Sequence, residues 1–237
     1  MTPRLPGIIL PVVFPELTCT VATFQELEGA ISEEKSFLSQ NEHERAGAYH
    51  FEEDRQRFIL SRAFLRLFLA QQLNPKATLQ SLRKNARELK FTQSLHGKLQ
   101  LEHQFAEKPL IFSLSRSHNL TAICCGWNIP VGIDVESFTQ QRHMSAAFIE
   151  DTFSPHEQAQ IHASACPSLS ALQLWTRKEA IGKADGRNLD IAWPLIETQL
   201  EQIEPISLPR ALGRVSTWAV QTLIIGDEVI SAAYKRC

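Results

Sequence analysis

Apolar positions along the first half of the chain predict one long helix. In residues 54–73 these positions recur at helical spacing, and Pro75 follows closely, which ends the helix because proline cannot continue it. Upstream, Ser39 and Glu42 have the spacing of a capping box and predict the start of a shorter helix. Strands or turn-and-strand segments are predicted over residues 7–14, 88–91, 96–101, 110–115 and 120–127.

The second half of the chain also combines strands with helices. Residues 129–136 alternate between apolar and other residues, as a strand with two different faces does. After a predicted loop, Ser154, Pro155 and Glu157 form the pattern of a capped helix start. Helices are predicted over 154–162 and 170–184, the second ending at Asp185-Gly186, and a hairpin over 217–225 and 229–234, turned at Gly226-Asp227.

The order of these elements indicates an α+β protein with a boundary near residue 128, which predicts two parts, 1–128 and 129–237. The composition, 43% hydrophobic and 21% charged, is that of a soluble globular protein. A formal net charge of −2 gives no bulk attraction to nucleic acid or to an anionic membrane. Five cysteines without a CxxC pair predict neither a disulfide framework nor a structural zinc site, and they favour the reducing cytoplasm.

Two acidic residues in the strand at 131–136 require an explanation. Apolar residues alternate there with Gly132, Asp134 and Glu136, so both carboxylates project from one face of the strand. They either face solvent on an open sheet or, together with Glu179 of the helix 170–184, bind a divalent cation such as Mg²⁺. Gly132 would allow a ligand or a loop to approach the backbone closely.

The helix 170–184 carries Trp175, Glu179 and Lys183 at positions i, i+4 and i+8, which places them on one face. Glu179 and Lys183 are either an ordinary intrahelical ion pair or, beside a metal, an acid and a cation suited to a developing phosphate charge.

On the long helix of the first half, Arg55, Arg62 and Arg66 lie within about 40° of one another. This stripe is either a solvated helix face or a set of contacts to an anionic ligand.

The combined motifs resemble the signature of the Sfp-type 4′-phosphopantetheinyl transferases. The chain has Gly-Ile-Asp-Val-Glu at 132–136 and Trp-Thr-Arg-Lys-Glu-Ala-Ile-Gly-Lys-Ala-Asp-Gly at 175–186, and Glu179 follows Glu136 at an offset of 43. Either motif alone is weak, but both at this spacing are specific. The resemblance extends over most of the chain from about residue 40, through 54–66, 97–98, 112–117, 153–157, Trp218 and 232–233.

The resemblance implies an enzyme that transfers the 4′-phosphopantetheine group of coenzyme A to a serine of an apo acyl or peptidyl carrier protein. The other product would be adenosine 3′,5′-bisphosphate, and Mg²⁺, or Mn²⁺ in its place, would assist. The implied fold has two similar α/β halves related by a pseudo-twofold axis, each with a small antiparallel sheet packed on a long helix. Coenzyme A would bind between them in a monomeric, cytoplasmic protein.

The resemblance also implies roles for individual residues. Asp134, Glu136 and Glu179 would bind the metal ion, Glu179 would act as the general base, and Lys183 would stabilise the departing phosphate. Trp175 is expected to pack and Glu157 to cap its helix. Coenzyme A contacts are expected from Arg55, Arg62, Lys98, Ser115, Arg116, Asp134, Lys178 and Lys183.

The chain departs from the family pattern at two positions. Arg116 replaces a histidine that contacts a phosphate of coenzyme A, and Leu99 replaces the proline of a Gly-Lys-Pro motif. Neither position belongs to the acidic cluster. Two other functions stay open. The acidic cluster alone also fits a Mg²⁺-dependent hydrolase of a pyrophosphate bond, and the exchange at Arg116 leaves room for a module that binds coenzyme A or a carrier protein without catalysis.

Overall fold

A computed structural model describes residues 5–10, 14–31, 36–102, 108–140, 144–186, 190–200, 205–208 and 216–236. Within these ranges the chain forms two four-stranded antiparallel sheets and a short hairpin, which confirms the mixed α/β character of the fold. The first sheet has the order β1 (Ile8–Ile9), β2 (Leu17–Thr23), β6 (Leu120–Trp127), β5 (Leu110–Arg116), and the hairpin joins β3 (Phe91–Gln93) to β4 (Leu99–Leu101).

The second sheet has the order β7 (Val131–Ser137), β10 (Glu228–Arg236), β9 (Ser216–Ile225), β8 (Pro205–Leu208). The last strand in chain order, β10, therefore lies between β7 and β9. The predicted hairpin of β9 and β10 is confirmed, with Gly226 at a φ of 59° in the turn. Of the apolar run 7–14, residues 8 and 9 form an edge strand, and residues 11–13 lie outside the described ranges.

Seven α-helices and a 3-10 helix over Asp190–Leu195 complete the described part of the chain. Both predicted capping boxes are confirmed, Ser39 with Glu42 and Ser154 with Glu157. The last α-helix ends at Asp185 because Gly186, at a φ of 72°, adopts the left-handed conformation of a helix stop. The α-helices are α1 (Phe24–Ile31), α2 (Gln40–Gly47), α3 (Glu52–Leu73), α4 (Leu79–Glu88), α5 (Ala146–Thr152), α6 (Pro155–Ala163) and α7 (Pro167–Asp185).

Three of these helices were not predicted. Helix α5 lies where a loop was expected, and that expectation is wrong. Helix α1 follows β2 without a connecting loop, and Thr23 and Glu26 exchange hydrogen bonds at its start in the manner of a capping box. Thr78 precedes and caps helix α4, and its side chain accepts a hydrogen bond from the Ser81 amide. All three helices are short, so tertiary packing rather than periodicity stabilises them.

Strand β7 separates two environments. Val131, Ile133 and Val135 are buried in an apolar core that they share with β2, β6 and β10. The opposite face of β7 packs on α7: a Cβ atom built at Gly132 would lie 2.0 Å from the carbonyl oxygen of Ala180. Gly132 is therefore required by the close approach of a helix, and the expected approach of a ligand or loop is wrong. The two acids follow on this α7-facing side of the strand.

Two serine hydroxyls connect the sheets. Strand β5 is an edge of the first sheet and β7 an edge of the second. Ser113 Oγ accepts from the Ile133 amide at 3.2 Å, and Ser115 Oγ accepts from the Val135 amide at 3.3 Å. The sheets lie on either side of the boundary predicted near residue 128, while the division into 1–128 and 129–237 and the pseudo-twofold relation stay predictions. No helix in the described ranges is long and apolar enough to cross a membrane.

Candidate active site

The centre of the candidate site is a hydrogen-bonded group of three side chains from β5, β7 and α7. Lys183 Nζ donates to Asp134 Oδ1 at 2.6 Å and to Ser115 Oγ at 2.9 Å, and Ser115 Oγ donates to Asp134 Oδ1 at 2.9 Å. Asp134 is only 3% exposed, so it does not face solvent as the simpler interpretation of the sequence required. Asp134 Oδ2 is buried without a hydrogen-bond partner among the described residues.

Glu136 and Glu179 extend this group with further negative charge. The pKa of Glu136 is raised to about 7, mainly by burial and then by the charges of Asp134, Glu179 and Glu228, while the charge of Lys183 acts to lower it. Glu136 is therefore only partly ionised near neutral pH, and a bound cation would favour its ionised form. Glu179 lines the adjacent cleft together with Lys183.

The acids suit a hard cation but do not converge into a finished metal site. In the ranges that the structure describes, no three side chains of His, Cys, Asp or Glu are arranged to hold a metal ion. Instead, the Oδ1 atom of Asp134 forms an ion pair with Lys183. The unpartnered Oδ2 of Asp134 and the raised pKa of Glu136 nevertheless fit a divalent cation, and carboxylate oxygens are the ligands that Mg²⁺ prefers.

A cleft of about 490 Å³ opens beside Lys183, and its lining residues come from α2, α3, the β3–β4 hairpin, β5, α7 and the 3-10 helix. Among the described lining residues, five carry a positive charge and one, Glu179, a negative charge. Such a surface suits a ligand with several phosphate groups, because clustered cations attract anions and form charge-assisted hydrogen bonds. The positive residues are Arg45, Arg62, Lys98, Arg116 and Lys183.

The predicted arginine stripe on α3 divides into different environments. Arg62 lines the cleft and donates through Nε to Glu42 at 2.8 Å. Arg66 is 1% exposed and donates to Glu42 at 2.6 Å and to two backbone carbonyls. Although burial acts to raise the pKa of Glu42, Arg62 and Arg66 lower it. Arg55 is exposed, pairs with Glu52 and is not among the cleft-lining residues, so the structure does not support its expected contact with coenzyme A.

Arg116 and Lys98 both line the cleft, as expected of ligand-binding residues. Arg116 lies over the ring of Phe58, 5.4 Å from its centroid, and donates to Tyr49 Oη at 3.2 Å. Lys98 donates to the carbonyls of Val131 at 3.0 Å and Lys183 at 2.6 Å, so it also caps the end of α7. Burial lowers the pKa of Lys98.

Lys178 lies away from the cleft. Its side chain is fully buried, with Nζ 2.8 Å from Glu157 Oε2. It also donates to the carbonyl oxygens of Trp193 at 2.7 Å and Ile196 at 2.5 Å. A buried cation with these partners cannot reach coenzyme A, so the contact expected for Lys178 is wrong. Glu157 caps α6 as predicted and in addition compensates the charge of Lys178.

Several cleft-lining residues were not identified from the sequence, among them Arg45 and Trp193. Arg45 lies one turn after Glu42 on α2, so the two residues share a helix face. This spacing is the one feature of the sequence that indicates its position beside α3. Trp193 belongs to the 3-10 helix, outside the sequence motifs, and no pattern in the sequence indicated that it lines the cleft.

The chain is similar in sequence to a known family of enzymes. Residues 130–233 match the model of the 4′-phosphopantetheinyl transferase superfamily. The chain is 27% identical over 210 residues to the 4′-phosphopantetheinyl transferase HetI of Nostoc sp. (strain PCC 7120), covering 86% of this chain and 81% of that protein. It is 29% identical over 157 residues to a putative 4′-phosphopantetheinyl transferase of Synechocystis sp. (strain PCC 6803), covering 65% of this chain and 59% of that protein.

Proposed function

We propose that this protein transfers 4′-phosphopantetheine from coenzyme A to a carrier-protein serine, because residues 130–233 match the model of the 4′-phosphopantetheinyl transferase superfamily. The acceptor is an apo acyl or peptidyl carrier protein, and adenosine 3′,5′-bisphosphate is released. The observation that carries the proposal is Lys183, held by Asp134 and Ser115 at the edge of a cation-rich cleft that suits three phosphate groups.

In the proposed reaction the serine oxygen attacks the phosphorus atom that bears the pantetheine arm. A bond forms between serine Oγ and phosphorus, and the bond from phosphorus to the bridging oxygen of the pyrophosphate breaks. Glu179 accepts the serine proton, because a hydroxyl is a weak nucleophile until a base removes its proton. Lys183 stabilises the negative charge on the departing phosphate oxygen.

The remaining residues position these two groups and the ligand. Asp134 and Ser115 fix Lys183 Nζ by hydrogen bonds of 2.6 and 2.9 Å, so the cation needs little rearrangement during the reaction. Arg62, Arg116 and Arg45 line the same cleft and supply positive charge to the phosphates of coenzyme A.

Asp134 and Glu136, with Glu179, would hold Mg²⁺ or Mn²⁺. The bound ion would neutralise pyrophosphate charge. The unpartnered Oδ2 of Asp134 and the raised pKa of Glu136 support this assignment. We further propose a monomeric enzyme of the cytoplasm, in keeping with the free thiols of Cys19, Cys124, Cys125 and Cys166.

The test is mass spectrometry of a panel of apo carrier proteins after incubation with the protein, coenzyme A and Mg²⁺. We expect one carrier serine to gain one phosphopantetheine group, with adenosine 3′,5′-bisphosphate in equal amount. Release of free phosphopantetheine from reactions without a carrier protein would indicate a hydrolase instead. Coenzyme A binding without any product in either reaction would indicate a binding module.

A further inference from the structure

The side chain of Lys98 ends among main-chain oxygens at the C-terminal end of α7. Its Nζ donates to the carbonyl oxygens of Lys183 at 2.6 Å, Val131 at 3.0 Å and Ala184 at 3.5 Å. Lys183 and Ala184 belong to the last turn of α7, whereas Val131 is the first residue of β7. One ammonium group of the β3–β4 hairpin therefore binds both elements that carry the proposed reacting groups.

The turn of the hairpin holds Lys98 in place. Its amide donates to Ser94 Oγ at 3.1 Å, and its carbonyl oxygen accepts from the Ser94 amide at 2.8 Å. Gly97 allows this turn, because its φ of 79° lies in the left-handed region that favours glycine. The aliphatic part of the Lys98 side chain passes Gly186, which ends α7: a Cβ atom at this glycine would lie 3.6 Å from Lys98 Cδ. Both the backbone and the side chain of Lys98 are thus held.

The hydrogen-bonding capacity of Lys98 Nζ is used by these contacts. An ammonium group has three donors, and the described residues offer it three carbonyl acceptors. The last carbonyls of a helix lack partners within the helix and carry partial negative charge, so a cation is stable there. The contact with coenzyme A that the sequence predicts for Lys98 would have to break one of these bonds.

The main chain that Lys98 binds belongs to the residue whose side chain carries the proposed charge at the leaving group. Asp134 and Ser115 fix the ammonium group of Lys183, and Lys98 fixes its carbonyl oxygen. Asp134 lies on β7, and Lys98 binds β7 at Val131. Lys183 is therefore held at both ends relative to the same strand, and loss of Lys98 would remove the bond that holds its main chain to the hairpin.

We infer that Lys98 is a positioning residue for Lys183 and that it does not contact a phosphate of coenzyme A. The inference rests on the proposed function. A displacement of about 1 Å in a catalytic arrangement can lower the rate about a hundredfold. Loss of Lys98 should therefore lower kcat and leave the affinity for coenzyme A nearly unchanged, whereas loss of a phosphate contact would weaken binding.

The first experiment measures kcat by steady-state kinetics, with a carrier protein that accepts the group, and coenzyme A binding by isothermal titration calorimetry. We expect Lys98→Met to lower kcat roughly tenfold and to change the Kd for coenzyme A by less than about twofold. Lys90→Met is the matched control, since Lys90 is exposed directly before β3 and does not line the cleft. It removes the same charge and should leave both quantities unchanged.

A wild-type kcat in Lys98→Met, or a loss of coenzyme A affinity as large as the loss in kcat, would overturn the inference. Absence of any group transfer by the wild-type protein would instead contradict the proposed function.

The second experiment asks whether Lys98 acts through Lys183, by a double-mutant cycle. In a Lys183→Met background, which lacks the group to be positioned, Lys98→Met should lower kcat by less than about twofold further, because residues that act together are not additive. A full tenfold loss in that background would show that Lys98 acts independently of Lys183 and would overturn the inference.

The exchange Lys98→Arg provides a variant that keeps the charge and keeps the test available if Lys98→Met does not fold. A phosphate contact would survive this exchange, because guanidinium groups bind phosphate well. The planar guanidinium group cannot direct three donors from one nitrogen at the three carbonyl oxygens. We therefore expect kcat to fall and coenzyme A binding to persist, and a wild-type kcat in Lys98→Arg would overturn the inference.

Discussion

Lys183 Nζ lies 2.6 Å from Asp134 Oδ1, which joins the last turn of α7 to the middle of β7. The Lys183 side chain is 32% exposed and that of Asp134 only 4%, so the cation faces the cleft while its partner stays behind it. We expect Lys183→Met to lower kcat at least about a hundredfold, the scale of losing one preorganised charge at a reacting oxygen. Steady-state kinetics measures the loss, and a wild-type rate in a folded variant would contradict this role.

The general base is tested by Glu179→Gln, which keeps the shape of the side chain and removes its basic oxygen. We expect kcat to fall at least about a hundredfold, the usual contribution of a general base. Coenzyme A binding, measured by calorimetry, should weaken much less than kcat falls. A near-normal kcat would reduce Glu179 to a replaceable ligand.

Metal dependence and pH are linked through Glu136, whose pKa rises from 4.5 to about 7 in the folded protein. The folded state therefore holds this proton more tightly than the unfolded chain does. In EDTA, stability should be greatest below pH 4.5 as far as Glu136 is concerned and should fall as the pH rises towards 7. Urea denaturation across this range measures the slope, and Glu136→Gln should flatten it.

Addition of Mg²⁺ should stabilise the protein more at pH 8 than at pH 6, because a carboxylate must lose its proton to bind a metal ion. Activity should disappear in EDTA and return with Mg²⁺ or Mn²⁺. Full activity in EDTA would exclude the acids as a functional metal site.

Arg116, which stands in place of the family histidine, is tested by comparing coenzyme A with 3′-dephospho-coenzyme A. Arginine stays charged at every relevant pH and can bind a phosphate with two hydrogen bonds. We expect Arg116→Ala to lose roughly 1.5–3 kcal/mol of the preference for coenzyme A, the range for a hydrogen bond to a charged group. Arg87→Ala on α4, outside the cleft-lining set, is the control for charge. An unchanged preference would assign the 3′-phosphate to another cation.

Glu42 is the shared partner of two buried arginines, Arg62 and Arg66. Glu42→Gln should destabilise the protein by roughly 3–5 kcal/mol, because it leaves two buried positive charges facing each other. Urea denaturation measures the change. The exposed Glu44 on the same helix is the control, and Glu44→Gln should change stability by less than about 0.5 kcal/mol.

The sequence was most informative where local chemistry determines structure. The two capping boxes, the stop of α7 at Gly186 and the alternation in β7 each depend on a few neighbouring residues, and all were predicted. The short helices α1, α4 and α5 were missed because packing against the core stabilises them.

Within the site, the limit was the direction of long side chains. Lys178 and Glu179 are neighbours on α7, yet one is buried against Glu157 and the other lines the cleft. The helical periodicity of the sequence places Lys178 and Glu179 on different faces of α7, but it does not show which of these faces packs against another helix. The same applies to α3, where Arg66 stabilises the fold and Arg62 also reaches the cleft.

The central place of β10 constrains how the protein is made. Strand β7 carries Asp134 and Glu136, and its neighbour within the sheet is β10, with Ser231 paired to Asp134. During synthesis, β7 emerges roughly a hundred residues before this partner, and translation at about 5–20 residues per second makes that interval several seconds. Until residues 228–236 leave the ribosome, β7 lacks the strand it pairs with, and its acidic side chains are not held in position. A nascent chain therefore acquires its reactive centre only after residues 228–236 have been made, and a ribosome that stalls earlier displays an inactive protein with an exposed strand edge, a target for chaperones.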